Sequence, residues 1–310
     1  MPRSSQIHRD RPLENVSIAF VPQGFIADQL SPRMMVEHES DTYYVYSKDT
    51  MALPETIRAD GAESNRATFN LSTASYVLSE HALHDDITDR QRGNVDKAIK
   101  LDIDVTEDLT RKIMLRREVD LQSIVQTAAN WANTLSLTVG AAWNSYTTTS
   151  NPITQIDSAS SVILLNSGLR PNVLAINDLS FNALKENPTL VDRVKYTSAE
   201  SIGDTIIARL FNLPKLLTAQ VTYNTGQEGL ADSMSRVWND NAFLAYVESS
   251  PGLKRPSALY SMWKNNTGFP QMVEKWREPK IKADRIEVSA FFQNKVVASD
   301  CAYLIVDTVQ

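Results

Sequence analysis

Residues 170–176 read RPNVLAI, and the reading of Leu169–Val247 that starts from them decides the fold. A proline opens this apolar strand. Asp178 can then N-cap a helix running through Leu184–Lys185, which Asn187–Pro188 stops. TLVDRVKY (Thr189–Tyr196) follows, then a helix-like run Ser201–Leu210 that ends at Pro214. A second apolar strand is expected through Leu216–Tyr223. The polar loop NTGQEGLADS leads on to VWNDNAFLAYV (Val237–Val247). Strands and helices alternate here, yet no recognisable catalytic motif sits among them.

Outward from this stretch, composition bounds the class. The chain has 310 residues, of which 42% are hydrophobic and 22% charged, as in ordinary folded domains. No run approaches the roughly 18–20 apolar residues that span a bilayer, so no membrane partner is expected. The N-terminal residues MPRSSQIHRDRPLENVS lack the apolar core of a secretory signal. The single cysteine, Cys301, excludes an intrachain disulfide and a thiolate metal cluster. A net charge of −6 argues against gripping nucleic acid by bulk positive charge. It does not argue against a wall that merely contains nucleic acid.

Residues 1–41 mix charges with Pro2, Pro12, Pro22 and Pro32, which prevents a long helix and suits an extended arm. TYYVYS (Thr42–Ser47) is β-branched and aromatic, and FNLSTASYVL (Phe69–Leu78) is its expected returning strand. Between them lies KDTMALPETIRADGAESNRAT, with Asp60-Gly61 as a turn signal. It is too long for a compact connection and reads as a projecting hairpin arm. Thr106 is expected to N-cap the longest helix, with Glu107 and Asp108 in its first turn. Leu121, Val125, Ala128 and Ala132 share a face, so the helix is expected to reach Trp131, roughly 40 Å away. Ala159–Asn166 reads as a short helix closed by Gly168, and Pro251–Met272 as irregular. RIEVSAFF (Arg285–Phe292) alternates, placing Ile286, Val288, Ala290 and Phe292 on one face.

The order of these parts resembles that of the major capsid proteins of tailed bacteriophages, the HK97-like fold. The pieces that carry the resemblance are TYYVYS, RADGAESNRATFNLS, PNVLAINDLSFNALKENPTLVDRVKY, VWNDNAFLAYV and IEVSAFFQNKVVASDCAYLIVD. The resemblance implies an α+β chain with an N-terminal arm at 1–41 and an extended-loop hairpin at 42–80. It implies a peripheral domain at 81–134 with its spine helix at 106–131, an axial domain at 135–275, and C-terminal strands at 276–310 returning to the body. It implies a structural protein rather than an enzyme, without cofactor or metal. Hexamers and pentamers of the chain would close into an icosahedral shell around phage double-stranded DNA, bound without sequence specificity. A portal protein is an implied partner, and scaffolding and decoration proteins would be separate chains where present. The expected location is the virion capsid, assembled in the host bacterial cytoplasm. An encapsulin-type compartment shares the fold and stands as an alternative; a cytoplasmic α/β enzyme is a second one.

Carried onto this sequence, the extended loop spans Lys48–Thr68, where Lys48, Arg58, Asp60, Glu63 and Arg66 are candidates for contact with a neighbouring subunit. Asn224, Gln227, Glu228 and Asp232 belong to the axial loop expected at the capsomer centre. Arg111, Lys112, Arg116 and Arg117 on the spine helix are candidates for facing DNA or a scaffold. The plainer reading pairs Glu107–Arg111, Asp108–Lys112 and Arg116–Asp120 along the helix. Some members of the family weld their shells with lysine–asparagine isopeptide bonds. Leu53–Arg66 holds no lysine, and arginine stays protonated, so no cross-link is expected. The best metal-like cluster is His81-Ala-Leu-His84-Asp85-Asp86, whose histidines would share a face on a helix. It lacks a third ligand at strong spacing. Gly226-Gln-Glu-Gly229 lacks the phosphate-loop pattern, and no histidine falls in the second half of the chain to serve a Ser–His–Asp triad there.

Overall fold

The computed structural model describes residues 8–9, 24–46, 53–67, 71–94, 100–147, 149–195, 203–226, 231–252, 255–265 and 271–310. The chain begins with β1 (His8–Arg9), a single-turn α1 (Ala27–Leu30), β2 (Arg33–Val36) and β3 (Ser40–Tyr46). It continues with β4 (Leu71–Val77), β5 (Ser79–Thr88), α2 (Asp89–Asn94) and the long α3 (Leu101–Val125). Next come β6 (Thr134–Ser136), α4 (Pro152–Ser167), β7 (Val173–Asn177), α5 (Asp178–Glu186), α6 (Pro188–Val194) and α7 (Asp204–Leu210). The remaining elements are β8 (Lys215–Ala219), β9 (Thr222–Asn224), β10 (Met234–Arg236), β11 (Ala242–Ala245), β12 (Leu259–Lys264), β13 (Gln271–Glu278), β14 (Ala283–Val296) and β15 (Ala302–Val306).

Two sheets organise the molecule. In the first, the order is β1-β13-β14-β12-β2, with β5 also paired to β14. The alternation of β14 falls where the sequence puts it: Ile286, Val288, Ala290 and Phe292 are all buried. They pack against Leu109, Ile113 and Met114 of α3, with Trp263 of β12 fully enclosed beside them. The second sheet runs β6-β15-β11-β7-β8, with β7 parallel to β8 and antiparallel to β11. Every residue of β7 is buried because both faces are covered. Val173 and Ala175 point to a core that includes Leu121 and Val125 of α3, while Leu174 and Ile176 point to one that includes Ile156 and Ile163 of α4. The carboxyl half of α3 therefore reaches the second sheet, and its middle lies on the first.

Several boundaries differ from the sequence reading. The long helix starts at Leu101, not Thr106, whose buried hydroxyl instead donates to the Asp102 carbonyl at 2.7 Å. It ends at Val125, whose carbonyl accepts the Trp131 indole N–H at 2.7 Å, and Ala128 and Ala132 lie beyond it, exposed. At 25 residues it is about 38 Å long. The N-cap of α5 is Asn177, whose side chain accepts from the Ser180 N–H at 2.7 Å, leaving Asp178 free for another partner. Gly168 closes α4 in the left-handed region at φ 73°, as expected, but that helix begins earlier, at Pro152. The run expected to be irregular contains β12, which joins the first sheet together with β13, although the sequence reading put both starts inside the axial segment. Likewise residues 24–36 are body rather than arm. Ile26, Ala27 and Leu30 are buried, and β2 lies parallel to β12.

Candidate functional site

Four surfaces carry the sequence-selected residues, and the first is the extended loop. β3 and β4 pair antiparallel from Ser40↔Val77 to Tyr46↔Leu71, and the chain between them carries the loop. Its turn is built as the Asp60-Gly61 signal requires: Gly61 has φ 75°, and the Ala62 N–H donates to the Ala59 carbonyl at 3.1 Å. The Asn65 amide donates to the Glu55 carbonyl at 2.9 Å, holding the two limbs together. Arg58, Asp60, Glu63 and Arg66 are exposed and form no ion pair among the described residues. Leu53 is 97% exposed and Ile57 82%. Lys48 lies outside the described residues.

On α3, Arg111, Lys112 and Arg116 are exposed, with Lys112 paired to Asp108 at 2.6 Å and Arg116 to Asp120 at 3.0 Å. Arg117, contrary to the sequence expectation, cannot face DNA or a scaffold, because its side chain is buried. Its guanidinium donates to Asp28 and to the Ser31 carbonyl, and lies 5.2 Å from the Trp263 ring centroid. Burial pulls the Arg117 pKa down, against the pull of Asp28. Asp28 also takes a two-pronged contact from Arg33 at 2.7 Å on each oxygen. Burial alone would raise the Asp28 pKa, but Arg33 and Arg117 together bring it down to about 2.

The neighbouring Glu118 is also fully buried. Its Oε1 accepts from the Ile26 N–H at 3.2 Å and from the Trp238 indole N–H at 2.8 Å, and its Oε2 accepts from the Ala27 N–H at 3.0 Å. Burial pushes this carboxyl's pKa up, against those three donors. One side chain thus ties the long helix to the N-terminal segment and to the loop that precedes β11. No spacing in the sequence announces this knot, since the partners of Glu118 lie 91 to 120 residues from it.

The segment expected to form the axial loop contains a small hairpin, β9 with β10, from Asn224↔Met234 to Thr222↔Arg236. Asn224 organises its described end: its Oδ1 accepts from Gly226 and Ser233 N–H groups at 2.8 and 3.0 Å, and its Nδ2 donates to Asp232 at 2.7 Å. Gln227 and Glu228 lie outside the described residues. Arg236 at the hairpin base makes a two-pronged ion pair with Asp178, at 2.7 and 2.9 Å.

The histidine cluster does not form a helix. His81 and His84 lie on β5, where three-residue spacing puts them on opposite faces. His81 stacks on Phe292 with ring centroids 4.2 Å apart, and burial lowers its pKa. Asp86 is taken by Arg285 at 2.6 Å. Among the described residues no group of His, Cys, Asp and Glu side chains could hold a metal ion, and no helix is long and apolar enough to cross a membrane.

No protein-family profile matches the chain. A curated relative, the major capsid protein of Burkholderia phage BcepMu, is 25% identical over 302 residues, covering 96% of this chain and 95% of that one. The crystal structure of a phage-related protein from Bordetella bronchiseptica RB50 superposes with a TM-score of 0.78 at 24% identity, covering 97% and 98% of the two chains. The capsid structure of cyanophage P-SCSP1u gives a TM-score of 0.61 at 10% identity, covering 93% and 89%. The fold is the HK97-like capsid fold, and the chain is similar along nearly its whole length to a phage major capsid protein.

Proposed function

We propose that this chain is the major capsid protein of a tailed phage, and that its hexamers and pentamers close into an icosahedral shell enclosing double-stranded DNA. The observation that carries the reading is end-to-end similarity over 302 residues to a protein named a phage major capsid protein. That likeness favours a phage shell over a cellular compartment of the same fold. The projecting loop supports it physically. Leu53 and Ile57 gain nothing from their own body, so the loop buries apolar surface only by lying on another copy. In this reading Arg58, Asp60, Glu63 and Arg66 pair across subunits, with Lys48 at the base of the loop. The β9–β10 hairpin, with Asn224, Gln227, Glu228 and Asp232, meets its symmetry copies at the capsomer centre. Arg111, Lys112 and Arg116 remain the helix cations able to meet DNA or a scaffold, without sequence preference, because phosphates rather than base edges would meet them. Weak contacts repeated over many copies stabilise the whole shell while each single contact stays reversible.

The test is direct. Expressed alone or with the phage's other late proteins, the chain should yield hollow particles by negative-stain electron microscopy. Only monomers or dimers, across all salt and co-expression conditions, would refute the shell reading.

A further inference from the structure

The β9–β10 hairpin is thinly attached to the body. It forms a sheet of its own and, among the described residues, pairs with no other strand. All three residues of β10 are exposed, and on β9 only Tyr223 packs partly against the core. A lone two-stranded hairpin is marginal by itself, so its direction depends on what braces it. Beneath it lies an open cavity of about 450 Å³, lined by Gln220, Thr222, Met234 and Trp238. The Asp178–Arg236 pair stands in the wall of this cavity and links the last residue of β10 to the first residue of α5. A carboxylate is well placed at that helix start, where the N–H dipoles favour negative charge. The guanidinium fork meets both carboxylate oxygens, which fixes an angle as well as a distance.

We infer that the Asp178–Arg236 ion pair is a positioning brace that sets the tilt of the hairpin over the axial sheet, and so the geometry in which neighbouring copies meet. The second half rests on the proposed place of the hairpin at the capsomer centre. Without the brace the cavity leaves room for the hairpin to lean. The pair is half exposed, so it contributes little to global stability while still choosing one orientation among several.

The experiment compares Arg236→Gln and Arg236→Lys with the full-length chain. In unassembled subunits, Arg236→Gln should move the melting temperature by less than about 2 °C. Hydrogen exchange of the amides at 222–225 and 234–237 should accelerate about two- to fivefold, as expected for loss of a local exposed pair. Arg236→Lys, which keeps the charge but not the fork, should fall between. In assembly, Arg236→Gln should give particles of mixed diameter or open sheets where the unaltered chain closes. Unchanged exchange in the hairpin, or a melting point that falls in step with it, overturns the brace. Accelerated exchange with particles of unaltered size overturns its role in subunit geometry. If the unaltered chain forms no particles at all, the shell reading fails, and hydrogen exchange still judges the brace.

Discussion

Replacing Glu118 tests how the two halves of the subunit are held together. Glu118→Gln keeps the volume and, with its carbonyl at the Oε1 position, keeps the bonds from Ile26 and Trp238. Its amide group then points N–H bonds at the Ala27 N–H, which donates to Oε2 in the native chain. One hydrogen bond is lost, and the Ala27 N–H and the amide N–H that faces it are both left unpaired, at a cost of about 1–3 kcal/mol for each buried donor. Glu118→Ala orphans all three donors and leaves a void, and comparable breakage of a buried polar network costs about 3–5 kcal/mol. Relief of carboxylate desolvation offsets part of both losses, so the Gln value should lie toward the low end. The pH dependence has a definite sign. With the folded pKa raised, the native state binds the proton more tightly than the unfolded chain does. Native stability therefore falls as pH rises from the usual carboxylate value toward the folded one, and the gap to Glu118→Gln narrows. Guanidinium unfolding of unassembled subunits at several pH values measures all of this. Equal losses for Gln and Ala, or losses below about 0.5 kcal/mol for both, would refute the reasoning.

Other predictions follow the same geometry. Arg117→Ala should destabilise the subunit by about 2–5 kcal/mol because it leaves a void where a fully buried side chain packs and takes the donor from the Ser31 carbonyl, whereas Arg116→Ala should change stability by less than about 0.5 kcal/mol; thermal unfolding of both compares them. Asp28, with its pKa lowered from 3.8 to about 2, supplies stability present above pH 3.8 that is lost as pH falls through 2; in Asp28→Asn that acid-limb slope should flatten in unfolding titrations. Replacing residues 53–67 by a short glycine–serine linker should leave the melting point of the subunit unchanged and abolish assembly, since Leu53 and Ile57 each offer a neighbour about 1.5–3 kcal/mol of burial. Purified particles boiled in detergent should run as a single 34.6 kDa band, since residues 53–67 hold no lysine to form an isopeptide bond; a ladder of higher bands would contradict this.

What was legible in the sequence was local and periodic. Two-residue alternation in RIEVSAFF gives the buried face of β14, because one strand alone encodes it. Gly168 and Asp60-Gly61 mark left-handed turns that few other residues tolerate. The helix start is masked in the sequence because the Thr106-Glu-Asp run imitates a cap, while Asp102 and Asp104 supply the acidic first turn. HALHDDIT carries no strand signal of its own, because its strand character comes from pairing with β14, more than 190 residues away. The Arg117 misplacement has the same origin: in the sequence it is one of four helix cations, and only the packing of Asp28 and Ser31 beside it shows that it is interior. Glu118 was invisible for that reason too. By contrast the β3–β4 hairpin and the turn at Gly61 are legible, because strand composition and a local turn signal encode them.

The measurement that bears most directly on the central claim is sedimentation velocity of the purified chain, with electron microscopy of the fast-moving fraction. The account predicts closed hollow shells of megadalton mass built from this chain, with hexamers and pentamers visible in their averaged images. A chain that sediments only as monomer or dimer under every condition that supports co-expression with scaffold and portal proteins would contradict it.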